Sequence, residues 1–411
     1  IIQVLNAHFV VDAFGGIPYS EAFKAFDFKD QDFLPKYDTQ EEVYVAMLNQ
    51  LENAANMLTT DSNQENFTSD LWYSGDIVKW KKLTNALRLR LAMRISNVDE
   101  ITARTVIDDV LSNIGELMSS NADNLVFRYN GSNFENPLWS QSTQFFHETA
   151  GAKNFIEFLV ETGDPRLRIF FNTATEGNNA GSYVGVPVSP DDRDEAALFV
   201  PGSTRDYNSF YSRGHATAWF NTKFPEFIIN YAETLLLRAE IAHKGWSSED
   251  AEQLYNEGIR ASIAFYSDLY REGVPLGLTK NPSVATDKDE FLDPSTLTVA
   301  QEEVEALLAA PEVVFDPAIA LNQIGVQQWI NHHRNPRELL SNFRRSDIPN
   351  SLSIPAWEPI IASGTTLPQT EVPKRLTYPA SEYASNTGNL EAFIQVQGPD
   401  SEQTRLWWDQ N

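Results

Sequence analysis

The stretch Gly75-Asp76-Ile77-Val78-Lys79-Trp80-Lys81-Lys82-Leu83-Thr84-Asn85-Ala86-Leu87-Arg88-Leu89-Arg90-Leu91-Ala92-Met93-Arg94-Ile95 decides the reading of the fold. Trp80, Leu83, Leu87, Leu91 and Ile95 recur at helical spacing and share one face, which predicts a helix from Asp76 through Ile95. The opposite face carries Lys79, Lys81, Lys82, Arg88, Arg90 and Arg94. In an acidic protein this stripe reads as a salt-bridged surface rather than as an anion site. After a short turn, Glu100 to Met118 supplies a partner helix.

The neighbouring segments repeat this design. Upstream, Asp38-Thr39-Gln40-Glu41-Glu42 carries a capping box: Thr39 accepts from the amide three residues on, and Glu42 reaches back. Val43, Met47, Leu48, Leu51, Ala54, Ala55 and Leu58 follow at helical spacing. Further on, a helix is expected from Pro225 through Ala242, with Phe227, Ile228, Tyr231, Leu235, Leu236, Ala239 and Ile241 among its apolar positions. The turn Lys244-Gly245-Trp246-Ser247-Ser248 leads into a second helix, Ala251 to Tyr266, with Leu254, Tyr255, Gly258, Ile259, Ser262 and Phe265 inward. Ala239, Ala251 and Gly258 are small enough to let the two approach closely. Helix, turn, helix of this kind is a tetratricopeptide-like pair with a degenerate repeat motif. Such pairs cannot bury their apolar faces alone, so they stack. The fold class is therefore mainly α with few short strands, and Tyr183-Val184-Gly185-Val186-Pro187-Val188 reads as one of those strands.

Ile1 to Val11 is apolar at helical spacing with no cap residue, which reads as a helix whose start lies upstream. A signal peptide or lipid-anchoring residue is expected in that upstream part. Between the helices the chain is rich in loops. Residues 119–150 and 161–224 are dense in Asn, Gly, Ser and aromatics, and residues 273–300 and 345–385 in Pro, Ser and Thr. Loops of this length are functional or packed as Ω-loops. The whole chain, 1–411, is read as a single unit: a helical scaffold over about 1–118, 225–272 and 317–343, with a loop-rich lobe from the rest.

Composition narrows the function. With 31 Lys+Arg against 57 Asp+Glu the formal net charge is −26, which repels phosphate backbones and argues against nucleic acid as a partner. There are no cysteines, so disulfides, Cys-ligated zinc, iron–sulfur centres and thiol catalysis are excluded within this sequence. No run of apolar residues is long enough to span a bilayer. Aromatics make up 12% of the chain, with 9 Trp, several of them in loops.

An ordered set of short motifs resembles one family. It comprises Asp12-Ala13-Phe14-Gly15-Gly16-Ile17-Pro18-Tyr19, the Pro35 to Tyr44 segment, and Gly75 to Arg94. It continues with Gly163-Asp164-Pro165-Arg166-Leu167, Tyr231-Ala232-Glu233 and Ala251 to Ile259. Tyr378-Pro379-Ala380-Ser381-Glu382-Tyr383, Asn386 and Thr404-Arg405-Leu406-Trp407-Trp408 complete it. Together they resemble the SusD/RagB family, nearest its SusD-like starch-binding branch, over nearly the whole chain. Where that family usually has a Glu-Ala-Trp…Trp-Arg-Arg-Thr-Gly-Tyr-Pro stretch, this chain has Arg337 to Pro349 and keeps Phe343-Arg344-Arg345 and the following proline in kind. The resemblance implies a lipid-anchored protein on the cell surface, at the outer membrane, of Bacteroidetes-type bacteria. It also implies capture of oligosaccharides and delivery to a SusC-like TonB-dependent transporter. RagB-like relatives suggest peptide capture as an alternative, and a glycoside-processing enzyme on the same scaffold is a second.

Glycan binding needs flat apolar faces for sugar rings and amides or carboxylates for their hydroxyls. The loops offer Trp72, Asn133, Phe134, Trp139, Tyr207, Tyr211, Trp219 and Trp357 as ligand-binding candidates. The loop 19–33, with Tyr19, Phe23, Phe26, Asp27, Phe28 and Phe33, is a further one, because family members build part of their site near there. Each aromatic has a competing reading as a plug that packs on the scaffold. Trp80, Trp246, Trp329 and Trp407-Trp408 read as core. No Gly-x-Ser-x-Gly, Walker loop, Gly-x-Gly-x-x-Gly or His-Glu-x-x-His occurs, and no catalytic residue, cofactor or metal is expected. The six histidines are scattered; adjacent His332 and His333 diverge on a helix and read as a solvated helix end. The acidic runs Asp191-Asp192-Arg193-Asp194-Glu195 and Asp287-Lys288-Asp289-Glu290 read as solvated loops rather than calcium sites, since neither has the EF-hand pattern.

Overall fold

The computed structural model describes the chain except residues 28–32, 60–66, 68, 139–149, 176–178, 188–210, 220, 277–293, 355–356, 358–371 and 411. Its long helices are α1 (Ile2–Phe14), α2 (Gln40–Met57), α3 (Ile77–Ile95), α4 (Glu100–Leu111), α5 (Lys153–Thr162), α6 (Tyr231–His243) and α7 (Ala251–Gly273). They are joined by α8 (Ala320–Asn331), α9 (Pro336–Ser346) and α10 (Thr387–Gln397). Shorter helical turns fill the loops. The fold is mainly α, as expected.

The capping box of α2 forms as read. Thr39 Oγ1 accepts from the Glu42 amide at 3.2 Å and donates to Glu42 Oε2 at 2.9 Å, while Glu42 Oε2 also accepts from the Thr39 amide at 2.8 Å. α3 starts after Asp76, whose carboxylate accepts from the Lys79 amide. The pairs α2/α3, α3/α4 and α6/α7 pack most extensively. At α6/α7 Gly258 faces Leu236 so closely that a Cβ there would sit 2.9 Å from its side chain, which is the close approach its size predicted.

Several expectations change: the helix expected from Glu100 to Met118 ends at Leu111, and the one expected from Ala251 to Tyr266 runs on to Gly273. The segment after Pro225 does not start a helix: Glu226–Ile229 is strand β2, paired antiparallel with strand β1 (Leu125–Phe127). Phe227 and Ile229 point inward, a period of two that a helix would break. Asn230 then caps α6 by accepting from the Glu233 amide at 2.9 Å, so the helix begins at Tyr231. The stretch from Tyr183 has only an isolated parallel bridge, Val186 to Ala152, among the described residues.

A further change concerns the basic stripe of α3. Lys79, Lys81 and Lys82 stay near the surface, but Arg88, Arg90 and Arg94 are buried. α3 is enclosed by α2, α4, α6, β2 and the α9 side of the molecule, so its basic face becomes interior. Each guanidinium then needs a carboxylate. Arg90 takes Glu233 at 2.6 and 2.7 Å, Arg94 takes Glu338, and Arg88 takes Asp109 at 2.6 Å.

His332 and His333 are not a solvated end either. His332 is buried, and His333 stacks on Phe155 and Phe170 at centroid distances of 5.2 and 4.3 Å. The end of α8 is a corner between two parts of the core rather than a surface terminus. Trp80, Trp246, Trp329 and Trp407 pack half-buried on the core and Trp408 is fully buried.

Candidate functional site

A crevice of about 380 Å³ opens where five segments meet: α1, the turn at Trp72, the chain following β1, strand β2, and the corner between α8 and α9. Each segment is fixed locally. The turn at Trp72 is organised by Asp70, whose carboxylate accepts from the amides of Trp72, Tyr73 and Gly75 and from Trp80 Nε1 at 2.8–3.2 Å. Burial pushes the Asp70 carboxyl up, but these four donors outweigh it and hold it below the usual carboxylate range. Trp72 therefore stands edge-on to Trp80 at 5.9 Å and tilted against Phe127 at 6.2 Å.

Pairing of β1 with β2 brings Phe127 opposite Glu226. Phe127 meets Tyr129 edge-to-face at 4.8 Å, and the Tyr129 hydroxyl donates to Glu226 Oε2 at 3.2 Å. Burial, then the Glu226 charge, raise the Tyr129 phenol, so it remains a donor throughout the neutral range. The α8–α9 corner ends on Asn335-Pro336, an N-cap and first-turn proline that force a new helix direction. That corner presents Arg334 and Arg337 to the crevice. Arg337 lies 5.5 Å over the Phe9 ring of α1.

Polar atoms in this crevice are buried but unpaired. Among the described residues, Trp72 Nε1 and Glu226 Oε1 lack a hydrogen-bond partner, and the Arg334 guanidinium has no carboxylate, only the Tyr270 hydroxyl near it. Arg334 is only 4% exposed and lies against the rings of Trp219 and Phe224, at 4.9 and 4.6 Å. Buried polar groups in folded proteins are nearly always satisfied, so unsatisfied ones beside aromatic faces make this crevice the candidate site.

The predicted site residues distribute unevenly. Trp72 lines the crevice, and Trp219 reaches it through Arg334. Asn133 and Phe134 are exposed on a turn held by Asn130 Oδ1, a few residues before Pro137, which lines the crevice. Tyr211 is half-buried beside the Ala150–Arg213 bridge, and Trp357 packs edge-on to Trp329 at 6.2 Å; neither lines the crevice. Trp139 and Tyr207 lie outside the described residues, as do both acidic runs and Phe28. From the 19–33 loop, Tyr19, Phe23 and Phe33 line a neighbouring cavity of about 810 Å³ that shares Ile2 and Asn6 of α1 with the crevice, and Phe26 is 86% exposed.

Phe9, Phe127, Tyr129, Glu226, Arg334 and Arg337 were not singled out from the sequence. For Arg334 a signal existed: it follows the adjacent histidines and precedes Asn335-Pro336, where one helix stops and another starts. One potential metal-ligand group occurs among the described residues, Glu233, His332 and Glu338, with ligand atoms within 4.8 Å of one another. Arg90 and Arg94 already occupy its two carboxylates, so this donor set suits a buried ion-pair network rather than a cation.

Comparison with known proteins decides the family. Residues 1–379 match the family described as SusD-like, starch-binding and associating with the outer membrane. The chain belongs to the SusD-like family. Among solved structures, one described as a chitin-binding protein superposes with a TM-score of 0.77 at 27% identity, over 99% of this chain and 79% of that one. A SusD homologue from Bacteroides uniformis gives 0.72 at 26%, over 100% and 80%. A chitin-binding SusD homologue from Flavobacterium johnsoniae gives 0.72 at 24%, over 100% and 80%, a likeness of fold. No curated protein matches the sequence. SusD-like proteins are carbohydrate-binding proteins of the outer membrane, and this one is a binding protein, not an enzyme. No described helix is long and apolar enough to cross a membrane.

Proposed function

We propose that this SusD-like protein captures an oligosaccharide in the crevice between α1, the Trp72 turn and the α8–α9 corner. In this reading it is lipid-anchored at the cell surface and passes its ligand unaltered to a SusC-like TonB-dependent transporter. The observation that carries the proposal is the pairing of aromatic faces with unsatisfied polar atoms. Trp72, Phe127 and Tyr129 offer ring surface, while Trp72 Nε1, Glu226 Oε1 and the Arg334 guanidinium offer one acceptor and several donors to sugar hydroxyls. The family description and the 27%-identical chitin-binding neighbour support a glycan as the ligand class.

Calorimetric titration with starch- and chitin-derived oligosaccharides, and with peptides of similar length, tests the ligand class. A glycan is expected to bind, and Trp72→Ala is expected to weaken it roughly five- to tenfold, the scale of one aromatic contact. Peptide binding with no response to any glycan would instead favour the RagB-like alternative.

A further inference from the structure

We infer that the crevice reads an anionic group on its glycan, a carboxylate or sulfate carried by a sugar ring, through Arg334 and Arg337. The inference rests on the proposed glycan site and adds the charge of the ligand to it.

With 57 acidic against 31 basic residues, carboxylates outnumber cations nearly two to one. Buried guanidiniums accordingly find them: Arg90 with Glu233, Arg166 with Asp164, Arg345 with Glu240, Arg375 with Asp400. Arg334 is as buried as these, yet among the described residues it has no carboxylate partner, and the polar group nearest its guanidinium is the neutral Tyr270 hydroxyl. The faces of Trp219 and Phe224 hold the guanidinium plane, and neither these rings nor the Tyr270 phenol supplies a negative charge to its edge. Burying an uncompensated charge is expensive, and a chain so rich in acid had every means to compensate it.

Arg337, on the same crevice, also lacks a carboxylate partner among the described residues. Glu226 is the acidic residue lining this space; it is engaged on one oxygen by Tyr129 and offsets one of the two positive charges. The crevice is thus locally cationic within a molecule of net charge −26. A guanidinium presents a donor fork that matches a carboxylate or sulfate better than it matches a single hydroxyl. A sugar stacked near Trp72 and Tyr129 with its anionic substituent toward Arg334 would pair with the guanidinium, and its hydroxyls would meet Glu226 Oε1 and Trp72 Nε1.

The test is calorimetry on the whole protein with three hexasaccharide probes: a neutral glucan, a uronate oligomer and a sulfated oligomer. At least one anionic probe is expected to bind about tenfold or more tighter than the neutral one, the scale of a charge-assisted hydrogen-bond pair. Which probe does so identifies the anion. Arg334→Met is expected to abolish that preference, and the preference is expected to shrink as salt is raised. Because Arg334 is buried, Arg337→Ala serves as an exposed control, expected to lower the preference about threefold without loss of fold. Equal affinity for all three probes, or a preference that survives both substitutions, overturns the inference while leaving glycan capture in place. Absence of binding by every probe overturns the site itself.

Discussion

Arg90 on α3 and Glu233 on α6 form a two-pronged buried ion pair, Nε to Oε1 at 2.6 Å and Nη2 to Oε2 at 2.7 Å, across 143 residues of sequence. The remaining reach of Arg90 Nη2 goes to the Ile228 carbonyl on β2 at 2.7 Å. One side chain therefore ties the first helical layer to the second pair and to the strand that forms a wall of the crevice. Removing one partner strands the other charge in the core. Arg90→Met is expected to destabilise the protein by roughly 3–5 kcal/mol, and Arg90→Met combined with Glu233→Met to recover part of that loss, in urea unfolding followed by circular dichroism.

Acid is expected to weaken the fold from about pH 6.5 downward. Burial brings His8 down to about 3, His215 to about 4 and His333 to about 3. Each is neutral in the folded chain and takes a proton more readily when unfolded, so stability is complete above the unfolded value and declines as pH falls below it. Glu338 adds to this at lower pH. Burial pushes its carboxyl up, but Arg94 and Arg90 outweigh burial and bring it to about 2, so its contribution is present above about 4.5 and is lost on further acidification. Asp12 works against the trend, since burial raises its carboxyl. The urea midpoint measured from pH 7.5 to 4 is expected to fall steadily, and His8→Asn to flatten part of the slope below pH 6.5.

Gly214 leaves room for Trp219. A Cβ at this position would sit 1.9 Å from Trp219 Nε1, so Gly214→Ala must displace the indole from beneath Arg334. Overpacking of this kind costs about 1–3 kcal/mol. Tryptophan emission is expected to shift on substitution, and glycan affinity to fall as Arg334 loses its support.

Gln397 clasps the end of α1. Its Oε1 accepts from the Gly16 amide at 2.7 Å, at a point where Gly15 adopts a positive φ of 92°. The C-terminal helix α10 is thereby locked to the start of the chain. Gln397→Ala is expected to cost about 1 kcal/mol in thermal or urea unfolding, the scale of one hydrogen bond, with glycan binding unchanged.

Local features of this protein were legible in its sequence. The capping box at Thr39, the periodicity of α3 and the small residues between α6 and α7 act within a few residues or one helix face, and each forms as read. Features that depend on distant chain were not. Glu226–Ile229 looks helical until β1, about a hundred residues earlier, pairs with it. Arg88, Arg90 and Arg94 look like a surface stripe until other elements close over them. The crevice draws on five separated segments, so among the described loop aromatics named from the sequence only Trp72, and Trp219 through Arg334, are tied to it. Arg334 escaped notice because its meaning lies in what it lacks, and a missing partner is visible only once neighbours are placed.

The most direct test of the account is a crystal structure of the protein with a bound oligosaccharide. The account predicts a sugar ring against Trp72 or Tyr129, with oxygens within hydrogen-bond distance of Arg334 and of Trp72 Nε1. A saccharide seated instead in the cavity beside Phe23 and Phe33, with the crevice at Arg334 vacant, would contradict it.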